Sequence, residues 1–535
     1  MTHLVAERGS LAARIAQLEE LAAWRRYAVA AGAGLFSNLA YAPVFFFPAL
    51  AIGFVALIWL LDGAARRPRP MRAAFARGWM FAFFYFLGGL YWVYASFEKV
   101  DGALIFMVPA TLALPAGLAL FWGAACAAMM RFWRPGAVRI VVFTVAIMAA
   151  EWARGHLFGG FPWNLPAYVW PAGGAISQAA SMIGVYGLSL LTVLALSTPA
   201  ALGGAGPAGA RVAPLLTAAL ALGLAWGAGD QRLTRAAAAL PGKTIVRVAD
   251  AGFTQEEKWA PGNEVRVFRG YLDLIDGPRP SRADVDIWPE SAVPVLLLEQ
   301  PDFLDAISAK LGPRTLIVGA VRSEPSRRGP VFYNSAVVLT GASGAARLGQ
   351  IYNKSRLVPF GEFIPLWRQI APLAEGLRLK ALQQIGSGFE PGDPPMRMIV
   401  PGAPPATVLI CYEAIFPGLV PRGAERPDWI VNLTNDAWFG GLSGPYQHYN
   451  QARYRAIEEG LPLARAASGG ISAIIDPYGR PIAATGLKGG IAEAALPQPL
   501  PPTIFARFGG LGPGVTFALV LLLGVALGRK RDVQG

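Results

Sequence analysis

Apolar positions along this chain follow two rhythms. Seven runs between residues 27 and 228 are apolar on every side: 27–41, 43–62, 74–96, 103–130, 137–153, 175–202 and 211–228. An eighth, 511–528, stops just before Arg529, Lys530 and Arg531. Runs of about 20 apolar residues are what a helix needs to cross a bilayer. Ahead of them, residues 1–26 are polar with a helical pattern carrying Arg14, Glu19, Glu20, Arg25 and Arg26. No short apolar core with a small-residue cleavage site follows, so the segment reads as a cytoplasmic amphipathic lead-in.

The rhythm changes at residue 236. Short β-rich runs now alternate with turns: 244–253, 283–292, 315–322, 333–340, 406–416 and 427–436, with helical stretches such as 296–311 and 445–459 between them. Several runs are apolar nearly throughout, as in strands covered on both faces. The pattern predicts one α/β domain with a layered sheet core. Residues 357–405 are Pro/Gly-rich and too long for an ordinary connection. Their first part, 357–390, has apolar tips between glycines and suits either a lid that dips into lipid or a static cover. The expected organisation is a lead-in (1–26), a seven-helix membrane domain (27–235), an extramembrane α/β domain (236–505), and an eighth helix with its tail (506–535).

Composition strengthens the membrane reading. Only 15% of the 535 residues are charged, against roughly 25% in soluble domains. The formal net charge of +13 does not point to nucleic acid, because the arginines cluster in short loops. With the N-terminus inside, the inner segments carry sixteen Lys or Arg and the outer loops two, Lys99 and Arg154. That asymmetry orients the bundle and puts residues 229–510 outside. The outer-loop aromatics Phe158, Phe161, Trp163, Tyr168 and Trp170 suit an interfacial belt or ordinary anchoring. Arg154 and Glu151, near the outer end of a span, either reach the interface or bind a headgroup phosphate. Two cysteines, Cys126 and Cys411, lie in different domains and make no disulfide framework.

Three residues stand out chemically. Cys411 ends the apolar run ATVLI, a sheet-edge position where α/β proteins tend to bind ligands; it is a nucleophile or a small buried hydrophobe. Glu290 follows DIWP, where apolar neighbours would raise a carboxyl's pKa and make a base of it; a solvated strand end is the alternative. Lys354 is one of eight lysines against thirty-nine arginines, a choice that suits a compact charge or a transferable proton, or simply a surface position. Together, base, ammonium and thiol make an acyl-transfer set. His448 offers a rival base for a Cys–His pair, and Asn435 and Asp436 read as turn residues or as supports behind the site rather than catalysts.

The segments WPES (288–291), NKSRLVPFGEFIP (353–365) and CYEAIFP (411–417) resemble the Glu–Lys–Cys motifs of the nitrilase superfamily. LVPFGE, NLTNDAWFG (432–440), GGFPW (159–163) and the eight-span frame resemble one branch of it, the apolipoprotein N-acyltransferases. That resemblance implies a helical membrane bundle of about eight helices with an α-β-β-α sandwich domain. It implies acyl transfer from a phospholipid to the α-amino group of a diacylglyceryl cysteine on an apolipoprotein, by ping-pong through a Cys thioester. Carried over, Cys411 is the nucleophile, Glu290 the base and later acid, and Lys354 the stabiliser of tetrahedral intermediates. Glu362 supports the site, and Trp259, Tyr412 and Glu413 match further family positions. The resemblance implies no cofactor or metal, a monomer, and a bacterial inner-membrane protein with a periplasmic catalytic domain and both termini cytoplasmic. The chain departs from the family at Ser468, where an Asn is common. A membrane-tethered amidase or hydrolase using the same triad, and a binding protein without catalysis, are the competing readings.

Overall fold

The computed structural model describes residues 23–99, 104–204, 207–236, 241–276, 283–327, 329–341, 346–364 and 388–509, with single positions beyond them. The chain divides into two compact units. One takes the described residues of 1–91, 108–235 and 508–535; the other takes those of 92–107 and 236–507.

The first unit is helical. Its helices are Ala23–Phe36, Pro48–Ala64, Pro70–Leu90, Leu104–Met129, Val138–His156, Ala180–Ser197 and Ala208–Arg235. Pro48 and Pro70 sit in the first turn, where the missing N–H costs nothing. Among the described residues, five apolar helical stretches are long enough to cross a membrane: Pro70–Glu98, Leu104–Met129, Val138–Gly159, Ile176–Gly203 and Ala208–Arg235. Pro48–Ala64 is apolar but shorter, and the described part of the chain is already helical from Ala23, inside the expected lead-in. The eighth run and most of the lead-in lie outside the described residues. Small residues set the helix spacing: a Cβ on Gly34 would stand 2.1 Å from the carbonyl oxygen of Phe81.

Several charges counted as loop charges are internal. Arg77 lies within Pro70–Leu90, buried, and donates to the Leu60 carbonyl. Arg139 is buried 3.3 Å from Asp62. Arg154 neither reaches an interface nor faces a headgroup: it is buried, paired with Glu151, and donates to the carbonyls of Phe161 and Trp163. A buried guanidinium needs such partners, and here they tie the GGFPW loop to its helix. The aromatic belt is also corrected. Trp163, Tyr168 and Trp170 are buried, the last donating to Thr192 Oγ1, while Phe158 is 91% exposed. Tight packing, which a one-dimensional pattern does not display, takes three of the five rings inward.

The second unit is a four-layer sandwich. One sheet has strand order β11-β1-β2-β3-β4-β5, from Gly490–Pro497 (β11), Pro241–Asp250 (β1), Val285–Trp288 (β2), Thr315–Glu324 (β3), Val331–Thr340 (β4) and Arg347–Asn353 (β5). The other runs β10-β9-β8-β7-β6, from Pro481–Ala484 (β10), Ala473–Ile475 (β9), Leu463–Ser468 (β8), Trp429–Asn435 (β7) and Ala406–Ile410 (β6). Val246, Val248, Ile287, Val338, Val408, Val431 and Ala464 form the core between the sheets. Helices Glu264–Asp276 and Pro301–Leu311 cover the first sheet, and Ser443–Glu459 the second. Thus β6 and β7 are buried along their whole length, and β6 and the first three residues of β7 run nearly apolar without alternation. β1–β2–β3 and β6–β7–β8 are parallel sets, so their carboxyl ends lie together at one edge of each sheet.

Candidate active site

Parallel pairing brings distant sequence segments to one place. Glu290 lies two residues past β2, Lys354 directly past β5, Cys411 directly past β6, and Asn435 at the end of β7. All four are buried. Lys354 is held by its own backbone, whose N–H donates to the Asn334 carbonyl at 2.8 Å. Its Nζ donates to Glu290 Oε1 at 3.1 Å and Glu362 Oε1 at 2.9 Å. Asn334 Nδ2 donates to the same two oxygens, at 2.6 and 2.8 Å. The remaining oxygens are occupied as well: Glu290 Oε2 accepts from the Asn435 N–H at 2.9 Å, and Glu362 Oε2 from the Val358 N–H at 2.8 Å.

Burial alone would lower the pKa of Lys354, but Glu290, Glu362 and Cys411 hold it well above the usual lysine value. It is therefore a fixed ammonium, suited to an oxyanion and unsuited to proton abstraction. Burial and the nearby Glu290 push the Cys411 thiol up, with Lys354 and a hydrogen bond from Thr434 opposing. The resting sulfur is a thiol, and attack requires a base.

Cys411 has φ +46, in the left-handed region, a conformation costing a non-glycine residue about 1–2 kcal/mol. It starts the short 3-10 turn Cys411–Ile415, which follows β6. Glu413 braces that turn against the loop bearing Lys354. Its Oε1 accepts from Tyr352 Oη (2.6 Å), Ser355 N (2.8 Å) and Ser355 Oγ (2.8 Å), and its Oε2 from Ile410 N (2.7 Å). Burial raises the Glu413 pKa, and these bonds oppose the rise. Tyr412 is buried beside Phe416, their ring centres 5.0 Å apart. Trp259 is 48% exposed, at the end of the short helix Gln255–Trp259.

The structure places other candidates elsewhere. His448 Nε2 lies 3.1 Å from the Cys411 carbonyl oxygen, and Nδ1 2.8 Å from Asp436 Oδ1. Both nitrogens are engaged, neither with the sulfur, so His448 is not arranged as the base. Asn435 lies where a supporting residue is expected, since its N–H holds Glu290. Ser468 Oγ stands 3.4 Å from Asp250 Oδ1. Within the expected lid, Phe360 is 65% exposed at φ +61, and most of 365–387 lies outside the described residues. Asn334 and Lys258 went unnoticed in the sequence. The one signal for Asn334 is a polar residue opening the apolar run NSAVVLT. Among the described residues no group of three His, Cys, Asp or Glu could hold a metal ion.

Known protein families match both parts of the chain. The model for the apolipoprotein N-acyltransferase N-terminal domain matches residues 33–197, and that for carbon-nitrogen hydrolases matches 265–500. An apolipoprotein N-acyltransferase of Rhodopseudomonas palustris is 40% identical over 526 residues, covering 95% of this chain and 96% of its own. The chain belongs to the apolipoprotein N-acyltransferase family. A second member, from Bradyrhizobium diazoefficiens, is 41% identical over 94% of this chain and 95% of its own length. Among solved structures, an amidase of the nitrilase superfamily from Nesterenkonia aligns over 48% of this chain and 93% of its own at 16% identity, with a TM-score of 0.33.

Proposed function

We propose that this enzyme transfers a fatty acyl chain from a phospholipid to the α-amino group of a diacylglyceryl cysteine at an apolipoprotein's N-terminus, by ping-pong through Cys411. The observation that carries the reading is the Lys354 ammonium, bound to Glu290 and Glu362 at 3.1 and 2.9 Å beside a thiol held on a left-handed turn.

In the first half-reaction Glu290 takes the Sγ proton as sulfur attacks the ester carbonyl. The oxyanion is held by the Lys354 ammonium and the backbone N–H that follows Cys411. Collapse expels the lysophospholipid alkoxide, which recovers the proton from Glu290 and leaves a thioester. In the second half the α-amino nitrogen attacks the thioester, Glu290 again takes a proton, and the thiolate departs to be reprotonated. Glu362 and Asn334 fix Lys354 and Glu290, and Glu413 keeps the two catalytic loops in register. Both substrates are lipids, so the catalytic unit works at a membrane surface. We place it on the periplasmic side of the bacterial inner membrane with both termini cytoplasmic. Arginine asymmetry supports this: without the buried Arg77, Arg139 and Arg154 it is still fourteen inner against one outer.

The test supplies phospholipid labelled in its acyl chain together with a diacylated lipopeptide. Formation of the N-acyl lipopeptide, lost in Cys411→Ala, is expected. Free fatty acid released at the full turnover rate without amide would favour the hydrolase reading instead.

A further inference from the structure

His448 lies in helix Ser443–Glu459 with no exposed surface. Its ring stands between two acceptors, Asp436 Oδ1 at 2.8 Å and the carbonyl oxygen of Cys411 at 3.1 Å. Asp436 is also fully buried. It pairs through Oδ2 with Arg465 and accepts from Thr434 Oγ1 at 3.0 Å. Burial would raise the Asp436 carboxyl, but Arg465 and His448 hold it below the usual value. Four side chains from β7, the turn after it, β8 and one helix thus converge beneath the backbone of one residue, the proposed nucleophile.

The carbonyl they hold belongs to a planar unit. In a trans peptide the C=O of residue 411 and the N–H of residue 412 point in opposite directions within one plane. Fixing the first aims the second. Cys411, at φ +46, opens the 3-10 turn Cys411–Ile415, and the His448 contact adds a side-chain restraint on that peptide plane.

We infer that His448, anchored by Asp436 and Arg465, is a positioning residue: by donating Nε2–H to the Cys411 carbonyl it sets the 411–412 peptide plane and so aims the Tyr412 N–H at the developing oxyanion. The inference rests on the acyl-transfer reading above. It differs from base catalysis, because the ring touches the backbone of Cys411 rather than its sulfur. It also makes a separable prediction. Alkylation of a thiol by iodoacetamide is a direct displacement and forms no oxyanion, whereas attack on an ester does.

The experiment follows acyl-adduct formation from phospholipid in the full-length protein, beside iodoacetamide modification of Cys411 read by peptide mapping. For H448L, adduct formation at saturating donor should fall about 10²-fold, the order seen when an oxyanion donor is lost. Its KM and its alkylation rate should stay within about threefold, as for loss of an interaction made only in the transition state. H448Q places an amide N–H near the Nε2 position and should recover most of the rate; H448N, whose amide reaches only the Nδ1 position, should not. If H448L fails to fold, H448Q against H448N carries the same comparison. Alkylation falling in step with acylation, or acylation unchanged in H448L and H448N, would overturn the inference. C411A separates the two levels: an adduct surviving there would defeat the acyl-transfer reading itself.

Discussion

Lys258 is 1% exposed, and among the described residues its Nζ has no hydrogen-bond partner. Burial pushes its pKa down to about 8, with the charges of Asp250 and Glu290 opposing. An unfolded lysine titrates near 10.5. Below about pH 8 the side chain is charged in both states, and folding bears the whole desolvation cost. Between 8 and 10.5 the folded protein has lost the proton and the unfolded chain has not, so this cost fades as pH rises. Lys258→Met should therefore raise the melting temperature at pH 7, by an amount that shrinks toward pH 10. A gain that grows with pH would contradict the assignment. Legibility at this scale was uneven. Glu290, Lys354, Glu362 and Cys411 were readable because each sits in a motif. Asn334 and Lys258 were not, since an amide in a strand and a lysine in a short helix acquire their meaning only from neighbours that folding brings in. His448 stands out in the sequence only as a rival to Glu290, because sequence does not say which atom a ring nitrogen faces.

Elements position these side chains through close backbone approaches. At Gly319 in β3, a Cβ would stand 2.4 Å from the Pro289 carbonyl oxygen and 2.5 Å from Glu290 Cα. The Gly319 carbonyl accepts the Ala292 N–H at 2.9 Å, closing the turn that carries Glu290. Gly319→Ala must displace that turn. Overpacking of this kind costs about 1–3 kcal/mol, and a shift of about 1 Å in a catalytic group costs on the order of 10²-fold in rate. Adduct formation should fall accordingly, while Gly441→Ala, with nothing within 4 Å, should leave it unchanged. Equal effects of the two would show that the β2–β3 contact does not position Glu290. The same physics explains which strands the sequence reveals. β6 and the start of β7, buried on both faces, are nearly all apolar and visible. β8 (LARAAS) carries the buried Arg465, β11 is rich in alanine, and β5 is a largely exposed edge, so none has a strand's usual apolar signature. The helix Glu264–Asp276 was passed over although it buries Val267, Phe268, Tyr271 and Ile275 on one face.

For the whole molecule, the change of rhythm near residue 236 separated a helical part from a sandwich, and among the described residues the seven runs before it correspond to helices, five of the stretches being long enough to cross a membrane. Length and hydropathy sufficed there because a helix that crosses a membrane must be apolar all round. The sandwich's layers were less visible, since parallel pairing between strands far apart in sequence leaves no periodic trace. The proposed function depends on one claim, that Cys411 carries the acyl group between donor and acceptor. The intact mass of the purified protein after incubation with phospholipid, beside C411A, tests that claim most directly. The account predicts a fatty-acyl adduct on the native protein that hydroxylamine removes, absent from the variant and discharged by a diacylated lipopeptide. An adduct of the same mass on C411A would contradict it.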